Sequence, residues 1–195
     1  MPSHDRNDRF ERLAAEVLDP LERYLRRRAA PEDAVEVLND TLLILWRRLD
    51  DVPPEATLPW CYAVARRCLA NQRRAAGRRV ALLERARGLF DRTGSEHSAA
   101  DGSPDTEPLE RALARLPGAE LEVIRLWAWE QLEPREIATV LGVSSNAVSI
   151  RLHRARKRLA ASLEADGRRG VRAGSAERSA GHPDTELVST ERRNP

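Results

Sequence analysis

Residues 134–157 read PREIATVLGVSSNAVSIRLHRARK, and this stretch decides the architecture. Ile137, Ala138 and Leu141 are spaced so that a short helix buries one face. Gly142 stands where the chain must turn, and glycine enters the left-handed region without a Cβ clash. Beyond Val143, any of Ser144, Ser145 or Asn146 can cap a second helix, whose Val148, Leu152, Ala155 and Leu159 recur at spacings of 4, 3 and 4. Two helices joined in this way form a helix-turn-helix pattern, which lays its second helix in the major groove of DNA.

An ordinary helical hairpin shares the glycine turn, so other features must discriminate. Ala138 is small enough for two helices to cross closely, and Gly142 and Val148 follow at intervals of four and six residues. The second helix carries Arg151, Arg154, Arg156, Lys157 and Arg158, with no acid between Ser144 and Leu163. At about 100° per residue, the face opposite Val148 presents Asn146, Ile150, His153 and Lys157, flanked by Ser149 and Arg154. Asn146 and Ser149 lie near the helix N-terminus, where base contacts are usually made. The later cations are better placed for phosphates, which set orientation and affinity without reading sequence. The candidate duplex-contacting set is Ser144, Ser145, Asn146, Ser149, Ile150, Arg151, His153, Arg154 and Lys157.

Working outward, the 195 residues suffice for one domain or two small ones. An aromatic content of 4% beside 33% charged residues allows modest helical cores rather than one large one. The formal net charge of +2 says nothing about nucleic acid, but its distribution does. Residues 60–87 hold eight arginines against a single acid, Glu84, whereas residues 31–51 are rich in acids. Such local blocks imply separate partner surfaces. Cys61 and Cys68 share a helix face but stand too far apart to bond, so buried reduced thiols are expected. There is no further cysteine, clustered histidine or glycine-rich phosphate loop, and His4, His97, His153 and His182 are scattered. Neither a metal, a cofactor nor a catalytic site is expected on these grounds. No apolar run suits a signal peptide or a membrane span, which predicts a cytoplasmic protein without membrane insertion.

Helical periodicity dominates, and strand signals are almost absent, so the fold class expected is all-α with two small helical domains. The first covers residues 1–84 and the second 108–165. Residues 85–107, rich in Gly, Ser, Asp and Pro, read as a flexible linker, and 166–195 as a disordered tail. In the first domain, Val35, Leu38, Leu42, Leu45 and Leu49 form a stripe at spacings of 3, 4, 3 and 4 on a helix that starts after Pro31. Its other side carries Glu36, Asp40, Leu43 and Arg47. Leu43 on that polar stripe points to a partner-binding ridge, the plainer alternative being a solvated face with one stray leucine.

A further helix over about 60–79 turns Cys61, Val64, Cys68 and Leu69 inward. Arg66, Arg67, Arg73, Arg74, Arg78 and Arg79 crowd its remaining surface. Asn71 and Gln72 among them offer donors and acceptors to bases. Trp60 and Tyr62 add aromatic surface of the kind that stacks on unpaired bases, although for Trp60 the favoured reading is a core anchor.

Three segments in this order resemble sigma factors of the extracytoplasmic-function (ECF) group, the smallest members of the sigma-70 family. AVEVLNDTLLILW (34–46) is similar to the family's region 2 helix, commonly AEDLVQDTFLRLW. WCYAVARRCLANQRR (60–74) is similar to its W-L-Y-x-I-A-R-N-x-x-x-D-x-x-R-R. The stretch from Leu109 to Leu159 resembles region 4 nearly throughout, with Leu116 and Pro117 at the family's L-P. The resemblance implies that Glu36, Asn39, Asp40, Leu43 and Arg47 dock on the clamp of core RNA polymerase. It implies that Trp60, Arg66, Arg67, Asn71, Gln72, Arg73 and Arg74 bind the −10 promoter element, and that the helix-turn-helix binds the −35 element. An anti-sigma factor is a further implied partner. Arg67 stands where many members have Asn, and Ile150 where Ser is common. On the outward face, Ile150 suits packing against a thymine methyl. The main alternative is a stand-alone helix-turn-helix regulator, against which the arginine-rich first domain argues; a second is a sigma-like remnant that no longer drives initiation.

Overall fold

A computed structural model describes residues 3–87 and 107–179. Among the described residues the chain forms seven α-helices and two short 3-10 turns, with no strand. They are α1 (Ser3–Arg26), α2 (Pro31–Arg47), the turns Leu49–Asp51 and Pro54–Ala56, α3 (Thr57–Arg87), α4 (Glu107–Ala114), α5 (Gly118–Ala128), α6 (Pro134–Leu141) and α7 (Ser145–Ser179).

The first half packs α1, α2 and α3 around Val17, Leu21, Tyr24, Leu25, Leu45 and Cys61. Pro31 opens α2 with Glu32 and Asp33 in the first turn, where proline lacks no bond and acids favour the helix dipole. The inward stripe of α2, however, is rotated from the expected one. Ala34, Val37, Thr41, Leu45 and Leu49 are buried, whereas Val35 is 58% exposed and Leu38 and Leu42 are half-buried. Small residues sit at the seam because α2 packs on both α1 and α3. The Thr41 hydroxyl donates to the Val37 carbonyl at 2.7 Å, so it needs no partner across the core.

In α3, Cys61, Val64, Cys68 and Leu69 are buried as expected, and Tyr62, Ala63 and Ala65 join them because α6 covers a further side. Tyr24 and Tyr62 meet with ring centroids 4.9 Å apart. Both cysteines are free and buried, and burial pushes the Cys61 thiol up to about 12.

The second half packs α4, α5 and α6 against α7 around Val123, Leu126, Ile137 and Val148. Pro117 caps α5, and Arg115 ties the preceding turn to Ser162 and Asp166 of α7. The expected segment boundaries shift at both ends. α3 continues to Arg87 and α4 begins at Glu107, so the core of the anticipated linker, 88–106, lies outside the described residues. α7 runs to Ser179, into the stretch expected as a disordered tail; residues 180–195 lie outside the described residues.

The two halves are not merely tethered: α6 packs on α3 as well as on α7. At the seam, Arg28 from the end of α1 is 3.0 Å from Glu130, with side chains 5% and 2% exposed. Arg27 also pairs with Glu130, and Arg28 lies 3.7 Å from Glu122 and over the Tyr24 ring. Nothing in the linear periodicity signalled this contact, because its partners lie about a hundred positions apart.

Candidate nucleic-acid interface

The helix-turn-helix is fixed by local backbone chemistry. Glu133 and Glu136 form a reciprocal capping box at the start of α6, with the Glu133 N–H donating to Glu136 Oε2 at 2.7 Å. Gly142 ends the helix at φ 66°, and its N–H reaches the Ala138 carbonyl at 2.9 Å. A Cβ there would meet nothing within 4 Å, so backbone conformation alone selects glycine. The Ser144 hydroxyl accepts from the Ala147 N–H at 3.2 Å, making Ser144 the cap of α7. Val148, Leu152 and Ala155 are buried as expected, and Leu159 is half-buried. On α6 the buried pair is Ile137 and Val140; Ala138 and Leu141 are half-buried flanks. Val140, three residues after Ile137, was legible as part of that stripe and was missed.

The outer face of α7 emerges as anticipated. Ser144, Ser145, Asn146, Ser149, His153, Arg154 and Lys157 are exposed, Ile150 is 44% exposed, and Arg151 is half-buried. The Ser149 hydroxyl donates to the Ser145 carbonyl of its own helix. Asn146, His153, Arg154 and Lys157 form no hydrogen bond or ion pair among the described residues. Two other cations on α7 are structural. Arg158 lies 3.5 Å from the buried Glu120, and Arg156 stands over the Trp127 ring at 4.9 Å.

The arginine-rich surface of α3 is differently arranged. Arg66 and Arg67 are exposed and have no acidic partner among the described residues. Asn71 accepts from Arg74 at 2.6 Å. Gln72 is half-buried and donates to Asp33 and Glu36 of α2 at 2.9 and 3.0 Å. Arg73 donates to the Arg28 carbonyl at 2.6 Å. Trp60 is half-buried, with the Arg48 guanidinium 6.0 Å from its ring centre. Glu36, Asn39, Asp40, Leu43 and Arg47 share the exposed side of α2, and Val35 joins them as a second apolar residue there. Its spacing of four from Asn39 and eight from Leu43 was the available signal.

Residues 106–159 match the family described as Sigma-70, region 4. Over 168 residues the chain is 32% identical to the RNA polymerase sigma factor CnrH of Cupriavidus metallidurans, which covers 80% of this chain and 87% of CnrH. The chain belongs to the ECF sigma factors of the sigma-70 family. The ECF RNA polymerase sigma factor EcfG of Rhodopseudomonas palustris is 26% identical over 135 residues, which is 69% of this chain and 73% of EcfG. Among solved structures, the sigma factor RpoE in complex with the anti-sigma factor NepR, from Bartonella quintana, superposes with a TM-score of 0.58 at 25% identity. That match covers 80% of this chain and 98% of the other. CnrH in complex with the cytosolic domain of CnrY gives a TM-score of 0.55 at 30% identity, over 80% of this chain and 88% of CnrH. As a sigma factor, the protein directs promoter-specific transcription initiation by RNA polymerase. No described helix is long and apolar enough to cross a membrane.

Proposed function

We propose a division of labour along this sigma factor. Residues 1–84 act as region 2, docking on core RNA polymerase and binding the −10 element; 108–165 act as region 4 on the −35 element. Residues 85–107 join the two, and 166–195 extend beyond region 4. The core-binding ridge is Glu36, Asn39, Asp40, Leu43 and Arg47 on α2. The −10 surface is Trp60, Arg66, Arg67, Asn71, Gln72, Arg73 and Arg74 on α3. The −35 surface is Ser144, Ser145, Asn146, Ser149, Ile150, Arg151, His153, Arg154 and Lys157.

The observation that carries this reading is the outer face of α7, where unpaired polar and cationic side chains start directly at a capped helix N-terminus. Asn146 and Ser149 are the base readers there, Arg154 and Lys157 the phosphate contacts, and Ile150 the apolar contact to a thymine methyl. Among the described residues of α3, Arg66, Arg67, Arg78 and Arg79 are exposed without an acidic partner, while Asn71, Gln72, Arg73 and Arg74 are engaged internally, which fits a surface that engages DNA only once polymerase has opened it. The protein acts in the cytoplasm, as an initiation factor rather than an enzyme. An anti-sigma factor holds it in reserve, by analogy with RpoE bound to NepR and CnrH bound to CnrY.

Run-off transcription with bacterial core RNA polymerase on a pool of promoter-bearing DNA tests the reading. Discrete start sites that appear only with the protein are expected, and their upstream sequences give both elements. Duplex binding without any initiation would favour a stand-alone regulator and return the α2 ridge to an ordinary solvated face.

A further inference from the structure

We propose that Asp33 and Glu36 are positioning residues that fix the amide of Gln72 with its oxygen free for DNA. Gln72 then reads one position of the −10 element as an acceptor alone and selects adenine or cytosine on the strand it faces. This assignment rests on reading α3 as the −10 helix.

Asp33 and Glu36 stand three residues apart on α2, a spacing that puts two side chains on one helix face. Both are exposed, and neither pairs with a cation among the described residues, although α3 beside them is rich in arginine. Their partner is the Gln72 amide, whose Nε2 donates to Asp33 Oδ1 at 2.9 Å and to Glu36 Oε2 at 3.0 Å. An amide nitrogen carries two hydrogens, so both donors of Gln72 are spent here. A carboxylate accepts and cannot donate, so turning the amide over would set its oxygen against two anions. The two acids therefore dictate the direction of the amide.

What remains for DNA is the oxygen. Oε1 of Gln72 has no hydrogen-bond partner among the described residues, and in this half-buried side chain it is open to solvent. Asn71 beside it has the reverse arrangement: its oxygen accepts from Arg74 at 2.6 Å, which leaves its amide hydrogens for other acceptors. Adjacent positions on α3 thus offer one acceptor and one donor group instead of two interchangeable amides.

On the major-groove edge only adenine N6 and cytosine N4 carry donors, whereas guanine and thymine present acceptors. A fixed oxygen bonds the first two and is repelled by the others. A glutamine free to turn would accommodate all four, and could hold adenine with both ends of its amide. Docking on core polymerase leaves the clamp in place, because Glu36 gives only Oε2 to Gln72 and keeps Oε1 for a partner cation.

The test is run-off transcription by the holoenzyme on promoters randomised through the −10 element, read as base preference at each position. At one position the wild type is expected to favour adenine and cytosine over guanine and thymine on one strand, by about fivefold or more. Gln72→Ala should flatten that position and no other. Asp33→Asn combined with Glu36→Gln frees the amide to turn, and should bring the same position near parity while the others keep their preference. Adding Gln72→Glu to that pair exchanges donors for acceptors across the contact. It leaves an acceptor free for DNA and should restore the preference, which a merely structural role would not do. Preference is a ratio within one holoenzyme, so weaker core binding through Glu36 does not disturb it. If Gln72→Ala flattens a position that the Asp33→Asn, Glu36→Gln pair leaves intact, or one that divides purines from pyrimidines, the fixed polarity is overturned and Gln72 stays a −10 reader. If Gln72→Ala changes no position, the −10 assignment of Gln72 fails, and the proposal with it.

Discussion

α3 and α7 are both long, arginine-rich helices, yet part of the polar surface of α3 is engaged internally where the outer face of α7 is free. On α7 the outward residues Asn146, His153, Arg154 and Lys157 are unengaged, and the cations that do pair, Arg156 and Arg158, point toward α5. On α3, Gln72 is bound to Asp33 and Glu36, Arg73 to a carbonyl, and Asn71 to Arg74, and only Arg66, Arg67, Arg78 and Arg79 stand without a partner among the described residues of its arginine-rich face. A helix that inserts into intact duplex gains from side chains already free at the surface. A helix that meets DNA only during melting can keep its polar groups satisfied internally until then. Positive charge alone therefore does not identify a ready binding surface; the partners of that charge do.

The widest contrast concerns stability. Leu45 in region 2 and Leu126 in region 4 are both fully buried, and replacing either by Ala should cost about 2–5 kcal/mol. The buried apolar residues form one cluster that runs through both halves, bridged where α6 packs on α3, so each substitution should destabilise its own half most and the other half in part. Hydrogen exchange resolved by segment measures this directly. Equal loss of protection in both halves from either change would mean that they unfold as one unit, and the comparison would lose its basis.

Alkaline pH separates the halves by different means. The region 2 core contains Tyr24, Cys61 and Tyr62, whereas the buried residues of region 4 include no thiol or phenol. Burial raises Cys61 from 9.0 to about 12 and Tyr62 from 10.0 to about 12, and it raises Tyr24 further. A group whose pKa is raised on folding contributes its full stability below the unfolded value and loses it as pH climbs to the folded one. Region 2 should thus hold at pH 8 and weaken progressively from about pH 9, losing on the order of 5 kcal/mol by about pH 11, with about 3 from Cys61 and roughly 1.4 from each tyrosine at roughly 1.4 kcal/mol per unit. Tyrosinate absorbance, which reports only on region 2 because the chain has just these two tyrosines, should rise together with loss of its helices. Region 4 melting first would contradict this.

What was legible in the sequence follows the same division. The helix-turn-helix could be read almost whole, since its glycine turn, serine cap and apolar stripe are local chemistry confined to a few dozen residues. The α2 stripe was read one face off, because a search for large apolar residues selects Val35 over Ala34 and Thr41. Close helix packing selects the smaller pair. The seam between the halves was invisible, because the packing of α6 on α3 and the ion pairs beside it join segments distant in sequence, which no local period encodes. For the same reason, Gln72 and Arg73 were identified as candidates from their types, while their internal partners were not.

The finest distinction lies within α7 itself. Arg154→Ala should weaken binding to every duplex about equally and lower the dependence of log K on log salt by roughly 0.9, the loss of one phosphate contact. Asn146→Ala should leave that slope unchanged and cost about 1–3 kcal/mol on the preferred sequence alone. Binding titrations at several salt concentrations, on preferred and scrambled duplexes, distinguish the two. The reverse assignment would place Arg154 at a base edge and Asn146 on the backbone. That requires α7 to lie in the groove by its middle rather than its N-terminus, which leaves the Ser144 cap away from DNA and removes the reason for a free polar face to begin there.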